Sequence, residues 1–336
     1  MAQAILLVGG FGTRLMPLTQ TVPKPMLPLA GLPVTEHQLA MARRAGITSL
    51  VLATSYLSEV FIPYFGDGSK WGMKLQYAVE KEPLGTGGAI RNAAELLNGD
   101  ESIVILNGDI LSSHDLSRQI HMHESLKAEV TMHLTHVADA RAYGCVPIDN
   151  EGRVLAFLEK MEKPVADTIN AGCYVFNPRV VNQIPEGKVV SVEREIFPDL
   201  VNRGLSIYAM VDDSYWIDIG TPAALLRASI DLVTGIADST ALDGLPMVHW
   251  SNDYVAHEGA IIDPGAVIAG GSSIGRGAKV EVGVLVDGSV ICDGAEVLAG
   301  AQIHNSFVAA NVIVSADLQV SDSYVSQGEI TSLLPL

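Results

Sequence analysis

The chain has 336 residues, 38 of them acidic and 21 basic, for a formal charge of −17. That balance argues against a general nucleic-acid binder, which needs a basic face; the 48 % apolar content supplies a core for one large or two medium domains. Residues 1–35 nevertheless hold no Asp or Glu and carry Arg14 and Lys24, which makes this stretch a candidate for a locally positive pocket in an acidic protein.

Ala2–Val8 is a continuous apolar run ending at Gly9, the pattern of a buried parallel strand. Without a basic leader region it does not read as a signal peptide. Thr35 is placed to cap a helix that stops near Gly46. Ser49–Ala53 and Leu75–Val79 predict short strands, the second followed by a Gly-rich turn and a helix over Ala89–Leu97. Ser102–Leu106 predicts a strand that breaks into Asn107-Gly108-Asp109. Val130–Thr135, Val154–Leu158, Gly172–Phe176 and Leu205–Val211 predict further strands, and Thr221-Pro222 opens a helix to about Thr234. Such alternation implies an α/β, Rossmann-like domain with a mainly parallel sheet over residues 1–235. Residues 236–254 read as a linker. Apolar residues then recur every six positions, at Ile262, Ile268, Ile274, Val280 and Val286, slip by one, and resume at Leu285, Ile291, Val297 and Ile303. A period of six predicts a short left-handed β-helix of hexapeptide turns over 255–336, a scaffold suited to self-association as a dimer or tetramer. No run of about 18 apolar residues predicts a membrane span. Cys145, Cys173 and Cys292 show neither pairing nor ligand spacing, which favours reduced thiols in a cytoplasm.

Gly9-Gly10-Phe11-Gly12-Thr13-Arg14-Leu15 follows the first strand, where a Gly-rich loop lets backbone N–H groups approach phosphate. It is not a P-loop, because G-x-x-x-x-G-K-[ST] is absent. Nor is it a dinucleotide fingerprint: Leu15 stands where the third glycine belongs. Pro17, Pro23, Pro25 and Pro28 instead favour an extended wrap that fixes Arg14 and Lys24 toward one anion.

The segment GGFGTRLMPLTQTVPKPMLP closely resembles the signature of the sugar nucleotidylyltransferases. The resemblance continues through VEKEPLGTGGAI, NGD at 107–109, FLEK at 157–160, NAGCYVF, SVEREIFP and YWIDIGTP, over essentially the whole chain. Within that family EPLGTGG and SVEREIFP look most like the mannose-1-phosphate guanylyltransferases. Met16 and Met161 depart from the pattern, which has Arg and Pro there. The tail is shorter than in relatives that also transfer acetyl groups.

The resemblance implies transfer of GMP from GTP to mannose 1-phosphate, with Mg2+ as cofactor, forming GDP-mannose and pyrophosphate by in-line attack at the α-phosphorus. By the same resemblance Arg14 and Lys24 would hold the polyphosphate, and Asp109 and Asp218 the metal. Leu7, Gly9, Gly10, Gly12, Thr13, Glu80, Gly85, Thr86 and Gly108 would form the nucleotide site, with Gly85 and Thr86 packed on the base. Gly144, Glu159, Lys160 and Asn170 would form the sugar-phosphate site. Glu193, Arg194 and Glu195 fit either sugar contacts or the charge of a helix N-terminus. A carboxylate at Glu80 suits guanine, whose N1–H and N2–H2 donors lie side by side. Thymidylyl or uridylyl transfer to glucose 1-phosphate, and a non-catalytic nucleotide-sugar sensor, stay as alternatives.

Overall fold

The computed structural model describes residues 2–333 except 11, 21, 55–57 and 159–160. They fall into two compact units, one of residues 1–10 and 38–216, the other of residues 11–37 and 217–336.

The first unit is built on seven strands: β1 (Gln3–Leu7), β2 (Ser49–Thr54), β3 (Lys74–Val79), β4 (Ile103–Asn107), β5 (Val130–His136), β6 (Thr168–Phe176) and β7 (Ile207–Val211). Their order is β7-β5-β6-β4-β1-β2-β3. Neighbours are parallel except at β6, which runs antiparallel to both β4 and β5. Ala4, Ile5 and Leu6 are wholly buried, so the apolar run of β1 reflects a strand covered on both faces. Ile5, Val51, Ile105, Met132, Tyr174 and Phe197 belong to one core cluster. Leu7 pairs with Ala53 on one side and Asn107 on the other. The C-terminal ends of the parallel strands therefore share one edge, and Gly9-Gly10, Glu80 and Gly108-Asp109 all leave from it. That edge is where open parallel sheets take ligands.

Some local expectations change. The Gly-rich stretch after β3 is not a turn but the start of a helix, Gly85–Ala94. Its glycines serve close packing: the Gly87 N–H donates to the Val190 carbonyl (2.8 Å), and a Cβ on Gly88 would lie 2.5 Å from the Lys188 carbonyl oxygen. Val154–Leu158 is not a strand; among the described residues it makes only single bridges, Val154 to Ile148 and Leu158 to Cys145. Pro147, between those partners, has no N–H to continue a ladder. Thr35 is not a cap: it lies buried within the Val34–Arg44 helix, and its hydroxyl donates to the Pro25 carbonyl (3.0 Å). The proline-rich wrap is not simply extended but coils into three 3-10 turns, Thr13–Leu15, Leu18–Gln20 and Lys24–Met26.

In the second unit the Pro222–Thr234 helix begins as expected, with the Thr221 hydroxyl accepting from the Ala224 N–H (3.2 Å), and ends at Gly235, φ +78°. Residues 236–254 carry a 3-10 turn, Thr240–Leu242, and a strand, Met247–Trp250, antiparallel to Tyr254–His257. Beyond them parallel strands stack in three ladders as a left-handed β-helix. Its core holds Ile268, Ile274, Val280, Val286, Ile291, Val297, Ile303, Val308 and Val314. Val286, not the half-buried Leu285, is the inward residue before the slip. The slip is a shortened corner, repeated between Ile303 and Val308, and it makes the later coils 17 residues long, as the pairing of Val290 with Phe307 shows. Serines fill that corner. Ser289 N–H donates to Ser272 Oγ, Ser306 N–H to Ser289 Oγ, and Ser323 N–H to Ser306 Oγ, each at 3.0 Å. Each small hydroxyl replaces a missing backbone partner inside the tight bend. Among the described residues no helix is long and apolar enough to cross a membrane.

Candidate active site

β1 ends at the half-buried Leu7 and delivers Gly9 and Gly10 to the surface. Gly10 sits at φ +109° with open space where a Cβ would point, a conformation that leaves its backbone accessible. Gly108 packs directly on β1: its N–H donates to the Leu7 carbonyl (2.9 Å), and a Cβ would lie 2.3 Å from that oxygen. Any side chain at 108 would push the Asp109 turn away. Gln38, buried in the Val34–Arg44 helix, brackets the same turn, donating through Nε2 to the carbonyls of Asn107 (2.7 Å) and Ile110 (3.0 Å). The sequence reading missed Gln38, because a buried amide on an amphipathic helix leaves no periodic signal.

Glu80 follows β3, with its N–H on the Thr54 carbonyl (2.8 Å). One carboxylate oxygen accepts from the Leu84 N–H (3.2 Å); the other, Oε1, is buried with no hydrogen-bond partner among the described residues. Burial raises the Glu80 pKa, against a smaller lowering by the Leu84 N–H. An unmatched buried acceptor costs about 1–3 kcal/mol, more when charged, a cost that a ligand N–H would remove. Gly85 and Thr86 are packed on residues 190–193. A Cβ on Gly85 would lie 2.6 Å from the Val190 carbonyl oxygen. The Thr86 hydroxyl donates to Glu193 (2.8 Å) and accepts from the Val192 N–H (2.9 Å). Glu195 accepts from the Ser191 N–H (2.8 Å) while Ser191 Oγ accepts from the Arg194 N–H (3.2 Å), which caps the turn that starts there.

In the second unit Gly12, at φ +60°, folds the loop onto Lys24: a Cβ there would lie 3.2 Å from Lys24 Cβ and 3.0 Å from Thr19 Cγ2. The Thr19 hydroxyl closes this loop on the Gly12 carbonyl (2.9 Å). Thr13 and Arg14 are exposed in the first 3-10 turn, and Lys24 is half-buried between Pro23 and Pro25. Asp218 ends the strand Trp216–Asp218, and Gly220 follows. A Cβ on Gly220 would lie 2.7 Å from Arg14 Nη2 and 2.7 Å from Asp218 Oδ1. This unit therefore brings Arg14 and Asp218 together over a glycine, and Gly12 together with Lys24. Asp109 lies in the first unit. Among the described residues no group of three or more His, Cys, Asp or Glu could hold a metal. One or two carboxylates suit Mg2+, which takes its remaining oxygens from phosphate and water.

Asn170, near the start of β6, donates from Nδ2 to the Tyr174 hydroxyl (2.6 Å) and accepts at Oδ1 from the Gly172 N–H (3.0 Å). Its own N–H donates to the Gly144 carbonyl (3.1 Å). The structure thus brings Gly144 and Asn170 together and engages both. Trp216 Nε1 donates to the Ala171 carbonyl (2.9 Å), with the Tyr143 ring edge-on at 5.6 Å. Glu159 and Lys160 lie outside the described residues. Cys145, Cys173 and Cys292 are free thiols; burial pushes Cys292 up to about 12.

The nucleotidyl transferase family pattern matches residues 3–235. A mannose-1-phosphate guanylyltransferase of Mycobacterium tuberculosis is 52 % identical over 262 residues, 78 % of this chain and 71 % of that protein. Mannose-1-phosphate guanylyltransferase 1 of Arabidopsis thaliana is 37 % identical over 238 residues, 70 % of this chain and 63 % of that protein. Among solved structures, HddC of Yersinia pseudotuberculosis complexed with GMP-PN is similar at a TM-score of 0.58 and 29 % identity, over 68 % of this chain and 98 % of that one. Sequence pattern, sheet and relatives agree, and the chain belongs to the nucleotidyl transferase family.

Proposed function

We propose that the chain is a mannose-1-phosphate guanylyltransferase, moving GMP from GTP to mannose 1-phosphate and releasing pyrophosphate. The observation that carries the guanine assignment is Glu80. One of its oxygens is held by the Leu84 N–H and the other is buried without a donor among the described residues. Guanine presents two adjacent N–H donors to a carboxylate, whereas uracil and thymine set a carbonyl on either side of one. The relatives named for this reaction support the sugar assignment.

A phosphate monoester has its second pKa near about 6 and is largely dianionic at neutral pH, so the nucleophile needs no general base. Its oxygen attacks the α-phosphorus in line. A new P–O bond forms, and the bond to the β-phosphate bridging oxygen breaks with its electron pair on pyrophosphate. Catalysis then consists of positioning and charge neutralisation. In this reading Arg14 and Lys24 take the leaving polyphosphate, and Leu7, Gly9, Gly10, Gly12, Thr13 and Gly108 shape the backbone that meets the nucleotide. Asp109 and Asp218 are the residues that would hold Mg2+, which when bound offsets phosphate charge. Gly144, Glu159, Lys160 and Asn170 are assigned to the sugar phosphate. Self-association through the β-helix and a cytoplasmic location belong to the same proposal.

Pyrophosphate release, measured with Mg2+ across five nucleoside triphosphates and several sugar 1-phosphates, tests it. A single strong response to GTP with mannose 1-phosphate is expected. A response centred on dTTP or UTP with glucose 1-phosphate would move the assignment to thymidylyl or uridylyl transfer. Binding of GDP-mannose with no pyrophosphate from any triphosphate would make the chain a sensor.

A further inference from the structure

The wrap that bears Arg14 and Lys24 ends in a turn, Ala30-Gly31, between the two-residue strands Pro28–Leu29 and Leu32–Pro33. That turn is wholly buried at Ala30, and Ala30 stands at φ +46°, a backbone region that alanine rarely adopts. Such a conformation persists only where the surroundings fix it, and here they do so through both backbone polar groups of the one residue. The Ala30 N–H donates to Ser229 Oγ (2.9 Å), on the Pro222–Thr234 helix. The Ala30 carbonyl lies 2.7 Å from His257 Nε2, which must therefore be the protonated ring nitrogen. His257 ends the Tyr254–His257 strand of the first β-helix coil and is itself buried. Its ring lies flush against the turn: a Cβ on Gly31 would fall 2.1 Å from His257 Nε2.

The hold on Ala30 is transmitted along a stiff segment. Val34 N–H donates to the Leu27 carbonyl (3.1 Å) and Leu27 N–H to the Lys24 carbonyl (3.1 Å). Thr35 reaches Pro25, next to Lys24, at 3.0 Å. Lys24 in turn seats Gly12 and the loop that leads to Arg14. All of these residues belong to the second unit.

We propose that His257 is a positioning residue for the nucleotidyl transfer: from the β-helix it fixes the Ala30-Gly31 turn, and through the hydrogen-bonded wrap it sets where Lys24 and Arg14 stand for the triphosphate. The tail thereby contributes to nucleotide affinity as well as serving as scaffold. This rests on the reading of the wrap as the polyphosphate-binding element.

Steady-state kinetics on the full chain test it with three variants. His257→Leu keeps bulk but removes the donor, and His257→Gln restores an N–H. Arg14→Ala tests the underlying reading. The expected result is a KM for GTP raised about tenfold or more in H257L, in keeping with the sensitivity of such sites to small misplacements. The KM for mannose 1-phosphate should stay within twofold, and H257Q should recover most of the loss. An unchanged GTP KM in H257L, even with a lower melting temperature, would leave His257 a packing residue and overturn the proposal. So would an equal rise in both KM values, or no recovery in H257Q. If R14A leaves GTP kinetics untouched, the polyphosphate reading of the wrap is what fails. Should H257L not yield folded protein, Ser229→Ala releases the other backbone group of the same residue, the Ala30 N–H, and carries the same expectation and the same refutation.

Discussion

At Glu80 the cost of a buried carboxylate oxygen is tolerated at a strand end that could have been solvated. Glu80→Gln should lower kcat/KM for GTP by about 10- to 150-fold, the equivalent of the 1.5–3 kcal/mol of a charge-assisted hydrogen bond, and shift preference toward UTP and dTTP. Unaltered base preference would confine Glu80 to bracing Leu84. Burial raises its pKa, and only the ionised form accepts two donors. The GTP KM should therefore rise as pH falls into the range of that raised pKa, and E80Q should lack the effect. Gly220 offers a separate test. The atoms that a Cβ would meet are the ends of the Arg14 and Asp218 side chains, which can swing aside. Gly220→Ala should thus cost under about 1 kcal/mol of stability but reduce kcat/KM at least tenfold, read by a thermal melt beside a pyrophosphate assay. Glu80 and Arg14 could be named as candidates because each sits in a recognisable motif. Gln38 was not, because its role is to bracket a turn 69 residues away, and no local pattern encodes that.

Among the elements, the boundaries that failed are those where packing overrode propensity. Glycines at 85, 87 and 88 read as a turn because glycine weakens a helix by roughly 1 kcal/mol each. The neighbouring 188–190 backbone repays this by approaching too closely for any side chain. The β-helix was legible from its period, but the shortened corner looked like a phase error, because a serine standing in for a backbone partner has no hydrophobic signature. That ladder yields its own prediction. Ser289→Ala leaves the buried Ser306 N–H without its acceptor, which should cost about 1–3 kcal/mol. Urea unfolding should show a lower midpoint at unchanged slope, with pyrophosphate release at room temperature intact. A wild-type midpoint would mean that the corner is held by its hydrophobic stack alone.

On the scale of the whole molecule, burial depresses five histidines from the ordinary value of 6.5: His37, His114 and His123 to about 4, His133 to about 3, and His257 to a lesser extent. Repulsion from the stacked His114 ring, 3.9 Å away, adds to burial at His133. These rings stay neutral in the fold, so below 6.5 the unfolded chain binds protons that the folded chain refuses. Stability is therefore full above about pH 6.5 and declines as pH falls toward 4. His136 has the opposite sign, raised by Asp213, but it is exposed and screened. The melting temperature should be flat from pH 7 to 8 and fall steeply from 6.5 to 4.5, with His133→Phe flattening part of the slope; a melt indifferent to acid would contradict the neutral, buried assignment. The α/β sheet and the β-helix were both readable from periodicity. The grouping of residues 11–37 with the C-terminal unit was not, since it depends on contacts such as that of Ala30 with His257, which are 227 residues apart.

The repeating corner also restricts how this protein can change in length. Removing six residues from the β-helix would turn every later strand onto a neighbouring face and carry the corner serines out of their column. Removing 17 would advance the chain by one whole coil, so that the Ser272–Ser289–Ser306–Ser323 column still stacks hydroxyl under N–H. Insertions and deletions that survive in this region should come in whole coils, and the tail can be lengthened or trimmed only like a stack of identical plates.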